Sequence, residues 1–143
     1  MITVIQRVAS ASVRVDNEIV GSIDRGILAL VGLEQGDSQQ TVEDRLDRIL
    51  SYRIFPDNQG RMNFSLRDTG GGLLLVSQFT LAANTQRGLR PSFSAALEPA
   101  AAQKLYEHLV LEARKRHDRI ASGQFAADMQ VSLVNDGPVT FIL

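Results

Sequence analysis

The sequence has no cysteine, no tryptophan and only two histidines. Without cysteine, disulfides, thiol nucleophiles and thiolate metal sites are excluded. His108 and His117 lie about two and a half turns apart on a predicted helix, whereas paired metal ligands on a helix stand four positions apart. We therefore expect two ordinary surface histidines, no metal site, no cofactor, and no Ser-His-Asp or Cys-His catalytic arrangement.

Long apolar runs are also missing, and none approaches the roughly 20 residues that cross a bilayer. The chain passes directly into a predicted strand at Ile2-Thr3-Val4-Ile5, with no basic region or long apolar segment before it. We therefore expect no signal peptide, no membrane partner and a cytoplasmic location.

Net charge is nearly absent too, with a formal value of −1. Such a chain has no overall attraction to nucleic acid, so we expect no DNA partner, and any RNA contact requires a local basic patch. Arg87 and Arg90 form one candidate patch in a polar loop. A second runs from Arg114 to Arg119 near the end of a predicted helix, where cations also complement the helix macrodipole.

The length and the 44% hydrophobic content predict one domain over residues 1–143. Apolar periodicity predicts two main helices, one capped by Asp37 or Ser38 and one running from Pro99 to Gly123. The long helix would bury Ala102, Leu105, Leu109, Ala113 and Ile120. Strands are predicted at residues 2–8, 12–15, 18–20, 26–33, 62–66, 73–76, 129–133 and 139–143, with a tight hairpin at Asp16-Asn17.

The stretch Ser77-Gln78-Phe79-Thr80-Leu81 follows the apolar run Leu73–Val76. The run predicts a buried strand, and small hydroxyl and amide side chains mark its exposed end. Backbone amides at such an end can stabilise a developing oxyanion. A core strand with a polar end is the structural alternative. Ser77 or Thr80 could act as a nucleophile only if another group served as base, and the sequence identifies none.

The second stretch of interest is Asn135-Asp136-Gly137-Pro138-Val139-Thr140. A glycine at 137 allows the backbone to approach a ligand closely because it has no Cβ. A trans Gly137-Pro138 bond in a turn is the structural alternative, since only about one X-Pro bond in twenty is cis. Arg7, in the first predicted strand, either projects into solvent or points inward against a backbone carbonyl.

Together, the stretches at 77–81 and 135–140 resemble the two signature motifs of the D-aminoacyl-tRNA deacylases. The similarity extends over nearly the whole chain, through Ile5-Gln6-Arg7-Val8, Arg90-Pro91-Ser92-Phe93, and Gly123-Gln124-Phe125 followed by Met129. Ala126 departs from the family pattern, which has glycine after the phenylalanine.

The resemblance implies an α/β fold of the α+β type, with a barrel-like mixed or antiparallel sheet and two main helices. It also implies a homodimer that hydrolyses the ester between a D-amino acid and the 3′-terminal adenosine of tRNA, and that removes glycine mischarged on tRNA(Ala). The Gly137-Pro138 bond would be cis. It would enter the partner subunit's pocket and reject L-aminoacyl esters by exclusion.

The resemblance assigns catalysis to the backbone around Ser77, Gln78, Phe79 and Thr80, with the terminal 2′-hydroxyl activating water. A covalent role for Thr80 is the rival mechanism, and Phe79 either belongs to the core or lines an adenine pocket. Substrate binding is assigned to Gly137, Pro138, Met129, Arg7 and Phe125, and tRNA binding to Arg87 and Arg90. Two functions of other classes stay open: a dimeric RNA-binding module without hydrolysis, and a small-ester hydrolase using Thr80.

Overall fold

The computed structural model describes residues 1–86 and 88–143. The elements follow in the order β1 (Ile2–Val15), β2 (Glu18–Ile23), β3 (Gly26–Gly32), α1 (Gln39–Ser51), β4 (Phe55–Pro56), β5 (Met62–Phe64), α2 (Leu66–Thr69), β6 (Gly72–Ser77), a 3₁₀ helix (Phe79–Ala82), α3 (Pro99–Arg116), β7 (Ile120–Ser122) and β8 (Gln130–Ile142). The predicted α+β class with two main helices is confirmed. No helix in the described ranges is long and apolar enough to span a membrane.

The main sheet has the order β2-β1-β3-β6-β7. Along one edge of the long strand β1, β3 pairs with residues 2–8 and β2 with residues 11–15, and β8 pairs along the opposite edge. Pairings of β1 are antiparallel, whereas β3–β6 and β6–β7 are parallel. A Cβ at Gly21 in β2 would lie 2.5 Å from the Ser122 oxygen in β7, so the two ends of the sheet approach each other. The result is the nearly closed, barrel-like sheet that was predicted.

Alternation along the strands produces two separate cores. Ile27, Ala29 and Val31 of β3 belong to the cluster that packs against the helices. Leu28 packs on the opposite face with residues of β6, inside the curved sheet. Because both faces of β3 are covered, its sequence is almost continuously apolar, as predicted.

The helix and hairpin starts follow the local sequence signals. The Ser38 side chain accepts a hydrogen bond from the Thr41 amide, and α1 buries Val42, Leu46, Ile49 and Leu50. Asp16 and Asn17 have φ values of 48° and 66°, which a two-residue hairpin requires and which these residue types tolerate.

The predicted end of the long helix is wrong. α3 ends at Arg116, where the His117 amide donates to the Ala113 carbonyl, and Ile120 belongs to β7 instead. The Leu73 amide donates to the Arg119 carbonyl, and the Gly123 amide donates to the Leu75 carbonyl. The segment after the helix therefore pairs with β6 as a parallel strand. Pairing with a strand distant in sequence outweighs the local helical pattern there.

Two predicted C-terminal strands are one strand in the structure. β8 runs from Gln130 to Ile142, with irregular register opposite Gln6–Ser10 of β1. The predicted break at Gly137-Pro138 is therefore a bulge within a continuous strand.

Candidate active site

The motif at 77–80 lies where β6 leaves the sheet. β6 is buried from Leu73 to Val76, and the Gln78 amide donates to the Val31 carbonyl over 2.7 Å as the pairing with β3 ends. The chain then enters the 3₁₀ helix at Phe79. The first amides of a helix have no partner inside it, so those of Phe79 and Thr80 are available at the strand end.

A cavity of about 490 Å³ opens beside this strand end, between the sheet and the start of α3. It contains three of the predicted site residues, Ser77, Phe79 and Phe125. Its remaining lining, mostly apolar, consists of Val31, Leu33, Phe93, Ala96, Leu97, Glu98, Pro99, Ala102 and Ala126. A volume of this size is typical of small-molecule sites.

Phe79 is 61% exposed, which argues against the core alternative for this side chain. Its ring centroid lies 5.0 Å from that of Phe93, at an interplanar angle of 57°. The two rings therefore form an aromatic surface at the mouth of the cavity. Phe93 was not among the predicted site residues, although it belongs to the quoted stretch Arg90-Pro91-Ser92-Phe93.

Gln78 and Thr80 contact each other beside the cavity rather than lining it. The Gln78 Nε2 donates a hydrogen bond to the Thr80 Oγ1 over 2.6 Å. A neutral amide nitrogen cannot remove a proton from a hydroxyl, so this contact orients Thr80 without activating it.

Gly137 and Pro138 lie at the centre of the β8 bulge. Gln6 pairs with Thr140 and Val8 with Asn135, so residues 136–139 face Arg7 alone. The bond between Gly137 and Pro138 is cis. A Cβ at Gly137 would lie 2.6 Å from the Val139 amide nitrogen, and therefore no larger residue fits this backbone.

The Asn135 side chain closes the bulge. Its Oδ1 accepts a hydrogen bond from the Val139 amide over 2.7 Å, and its Nδ2 donates to the Thr140 Oγ1 over 3.1 Å. Asn135 was quoted in the sequence motif but was given no role, because its partners become neighbours only once the bulge has formed.

Arg7 points inward, which settles the two interpretations that the sequence left open. Its Nε donates to the Asp136 carbonyl over 2.8 Å and its Nη1 to the Ile54 carbonyl over 2.7 Å. The Asp136 carboxylate lies 3.4 Å from the same Nε, and the Arg7 side chain is only 11% exposed. Arg7 thus ties the bulge to the segment before β4.

The two motifs are not brought together within one chain. Across the paired strands β1, β3 and β6, Arg7 lies in one row with Ile27 and Leu73. Ser77 lies in another row with Val31 and Thr3. These rows are about 13 Å apart along the strands, and three strand spacings of about 4.8 Å separate β6 from β8. Among the described residues, the cavity lining includes neither Gly137, Pro138 nor Arg7.

Met129 and Phe125, also predicted for substrate binding, lie in different places. Phe125 lines the cavity, and its ring centroid is 5.8 Å from that of Tyr106. Met129 packs against Gly123 and the core inside the sheet, away from the cavity lining. Ala126 has φ 59°, a left-handed conformation that glycine adopts more easily, which is consistent with glycine at this position in the family pattern.

The Tyr106 hydroxyl lies behind the strand end and donates to the Leu75 carbonyl over 2.8 Å. Burial raises the pKa of Tyr106 far above its ordinary value, so the residue stays a neutral hydrogen-bond donor. In the described ranges, no three His, Asp or Glu side chains are close enough to hold a metal ion.

Of the two arginines predicted to contact tRNA, Arg90 is exposed in the loop that the Asn84 amide and the Ser92 carbonyl close over 2.7 Å. Arg87 lies outside the described residues.

A family model described as D-Tyr-tRNA(Tyr) deacylase matches residues 4–143 of this chain. A protein of Methylococcus capsulatus named D-aminoacyl-tRNA deacylase is 58% identical over 143 residues, which cover 100% of this chain and 94% of that protein. A protein of Pseudomonas aeruginosa (strain LESB58) with the same name is also 58% identical, over 100% of this chain and 99% of that protein.

Solved structures are also similar to this one. The c-Myc DNA Unwinding Element Binding Protein superposes with a TM-score of 0.95 and 38% identity, covering 100% of this chain and 97% of the other. A structure described as a probable eukaryotic D-amino acid tRNA deacylase superposes with a TM-score of 0.85, covering 99% of this chain and 97% of the other. At 17% identity, this second similarity concerns the fold alone.

Proposed function

The chain belongs to the family of the D-aminoacyl-tRNA deacylases, and on that premise we propose that it hydrolyses the ester between a D-amino acid and the terminal adenosine of tRNA. One observation carries the proposal: Ser77 and Phe79 open onto a largely apolar cavity of about 490 Å³. The oxygen of water bonds to the ester carbonyl carbon, the bond from that carbon to the ribose oxygen breaks, and the ribose oxygen takes up a proton. The products are the free D-amino acid and tRNA.

The backbone at the strand end supplies the electrostatic part of catalysis. The amides of Phe79 and Thr80 donate to the oxyanion, and one such donor contributes on the order of a hundred- to a thousandfold in rate. The exposed rings of Phe79 and Phe93, 5.0 Å apart, hold the adenine by stacking.

The terminal 2′-hydroxyl of the RNA, rather than Thr80, assists the attacking water. Thr80 Oγ1 already accepts a hydrogen bond from Gln78, and no described contact of Thr80 provides a base. An RNA hydroxyl next to the ester is a donor and acceptor that the substrate itself brings.

Chiral selection depends on Gly137 and Pro138 of a second copy. Both residues are exposed on the bulge, and Arg7 and Asn135 hold their backbone in place. A fixed peptide edge facing the α-carbon collides with an L side chain, while a D side chain points to solvent. Glycine has no side chain to be rejected, so glycine mischarged on tRNA(Ala) is also a substrate.

The distance between the two motifs within one chain supports a homodimer. A second copy is required to place its Gly137-Pro138 segment beside the Ser77 cavity. β8 also carries exposed apolar side chains suited to such an interface, with Leu133 37%, Val134 59% and Ile142 77% exposed.

The proposed substrate places the reaction in the cytoplasm, where aminoacyl-tRNA is used. Arg90, exposed in the loop before Phe93, meets a phosphate of the acceptor end, and Arg87 is assigned the same role from the sequence. Their loss weakens tRNA binding and lowers its salt dependence.

Incubation with matched D- and L-aminoacyl-tRNA tests the proposal. Selective loss of the D-ester supports it. Retention of both RNAs with both esters intact would instead indicate a binding module, and hydrolysis of simple esters that Thr80→Val abolishes would indicate a nucleophilic hydrolase.

A further inference from the structure

A second concavity, the α3 groove, lies between α3 and the segment Ser122–Phe125. It has a volume of about 620 Å³ and is lined on the helix side by Gln103, Glu107, Leu111 and Arg114 among others. These positions recur at helical spacing along one face. Arg114 belongs to the second basic patch that the sequence offered for an RNA contact, and the other three belong neither to the predicted site nor to the proposed chemistry.

The α3 groove adjoins the cavity beside Ser77. Phe125 lines both concavities, so the two meet at this residue. The cavity lies at the start of α3, near Pro99 and Ala102, and the groove continues from there to Arg114. The distance from Ala102 to Arg114 along the helix is about 18 Å at 1.5 Å per residue.

Arg114 is exposed at the far end of the groove, and it makes no ion pair with any described residue. Its neighbours differ: Lys115 contacts Glu112 at 2.6 Å, and Arg116 contacts Glu43 and Glu112 at 2.7 and 3.0 Å. Arg114 is therefore the cation of this helix end that stays available for an external anion. Its guanidinium suits a phosphate, which it can bind with two hydrogen bonds.

We propose that the α3 groove holds the unpaired 3′ strand of tRNA that leads to the adenosine in the cavity, with Arg114 bound to a phosphate of that strand. This proposal rests on the proposed function, because the adenosine fixes where the strand begins. A stacked strand rises about 3.4 Å per nucleotide, so 18 Å corresponds to about five nucleotides. The exposed Leu111, 53% accessible, provides an apolar contact for a base or ribose.

Glu107 has the opposite effect in the same groove. It is exposed, and its Oε1 accepts a hydrogen bond from Gln103 over 2.9 Å, so its charge is not neutralised by a cation there. A carboxylate near a phosphate strand repels it. Glu107→Gln keeps an acceptor for Gln103 and removes this charge, and it should tighten RNA binding.

The test measures dissociation constants for uncharged tRNA at several salt concentrations. Arg114→Ala should weaken binding several-fold and lower the slope of log K against log salt by about 0.7, the value for one phosphate contact in a single strand. Glu107→Gln should strengthen binding. Lys115→Ala is the matched control, because it removes an adjacent cation that pairs with Glu112 and does not line the groove, and it should leave binding unchanged.

Equal losses in Arg114→Ala and Lys115→Ala would overturn the proposal, since a diffuse charge effect would then explain both. A changed sedimentation coefficient in Arg114→Ala would also overturn it, because the groove would then be a contact between copies. In a second arm, Arg114→Ala should raise KM for D-aminoacyl-tRNA but not for D-aminoacyl-adenosine. If the wild-type protein hydrolyses neither ester, the proposed function fails, while the tRNA-binding arm still decides whether the groove holds RNA.

Discussion

Arg7 connects the β8 bulge to the rest of the protein through two backbone carbonyls, those of Asp136 and Ile54. Arg7→Ala removes both charge-assisted hydrogen bonds, which are worth about 2 kcal/mol each. We expect the variant to fold, with lower stability, and to hydrolyse L-aminoacyl-tRNA much faster than the wild-type protein does.

Initial rates with matched D- and L-esters measure this change, and circular dichroism checks the fold. Arg7→Lys is the control, because a single ammonium cannot reach both carbonyls and should restore selectivity only in part. Unchanged selectivity in a folded Arg7→Ala protein would separate Arg7 from the proposed chiral filter.

Thr80 provides the second prediction. Thr80→Val keeps the shape of the side chain and removes the hydroxyl that accepts from Gln78. We expect near-normal turnover of D-aminoacyl-tRNA, and a large loss when the terminal 2′-hydroxyl of the RNA is replaced by hydrogen. Single-turnover rates measure both effects. A loss of more than about a hundredfold in Thr80→Val with intact RNA would support the nucleophilic mechanism instead.

The sequence predicted Ser77, Phe79 and Phe125 as site residues, and all three line one cavity in the structure. It did not decide the direction of Arg7, because the register of the bulge determines which carbonyls an arginine at that position meets. The role of Asn135 was hidden for the same reason. Neither contact is encoded in local spacing.

At the scale of elements, Tyr106 joins α3 to β6. Its hydroxyl donates to the Leu75 carbonyl, which also accepts from the Gly123 amide over 2.8 Å. Tyr106→Phe should lower the free energy of unfolding by about 1 kcal/mol, because one buried hydrogen bond is lost while the carbonyl keeps its other partner. Urea unfolding measures this difference.

Tyr52→Phe serves as the control for Tyr106→Phe. The Tyr52 ring packs against Phe141 at 5.4 Å, and its hydroxyl has no hydrogen bond to a described residue. We expect its substitution to change stability little. A cost equal to that of Tyr106→Phe would mean that the Leu75 contact contributes nothing specific.

A charge cluster also links the two main helices. Glu43 of α1 contacts His108 at 2.9 Å and Arg116 at 2.7 Å, both on the α3 side. The hydrogen bond from His108, followed by that from Arg116, lowers the pKa of Glu43 below its ordinary value of 4.5. The histidines are thus partly buried and hydrogen-bonded, not ordinary surface residues as predicted, since His117 also contacts the Gly71 carbonyl at 2.6 Å.

The pKa of Glu43 is lower in the folded than in the unfolded chain. Its contribution to the stability of the folded state is therefore complete above pH 4.5 and is lost as the pH falls through the pKa of the folded chain. The melting temperature should therefore decrease as the pH drops below about 4.5, and the decrease should be less steep in Glu43→Gln. Thermal unfolding between pH 3 and 7 measures this. Parallel curves for both proteins would exclude a role for the Glu43 cluster.

The elements that the sequence did not predict correctly are those that depend on distant partners. α1 and its Ser38 cap follow from a local signal and were predicted. β7 is too short to be recognised, and only the edge of β6 makes Ile120–Ser122 a strand. Periodicity predicts which face of a strand is apolar, but not which strand lies next to it, so the barrel-like sheet came from family resemblance.

For the whole molecule, the proposed dimer predicts that oligomeric state and chiral selectivity change together. Val134, 59% exposed on β8, is well placed for substitution. Val134→Asp puts a charge on the proposed interface and should shift the protein toward monomers in sedimentation velocity. The same variant should lose discrimination between D- and L-esters.

Met62→Asp is the matched control, because Met62 is 47% exposed on β5, which pairs with β4 in a separate two-stranded sheet and not with β8. It should leave both the sedimentation coefficient and the selectivity unchanged. A monomeric Val134→Asp protein that still rejects L-esters would show that one chain supplies the complete filter.

The position of Phe125 has a consequence for how the cavity and the α3 groove are filled. Phe125 lines both the cavity and the α3 groove, so an occupant of one that moves its ring changes the lining of the other. By linkage, an occupant that favours one position of the ring changes the affinity of the second compartment by the same factor in both directions. In the proposed function, the strand in the groove and the adenosine in the cavity therefore influence each other's binding through this one side chain.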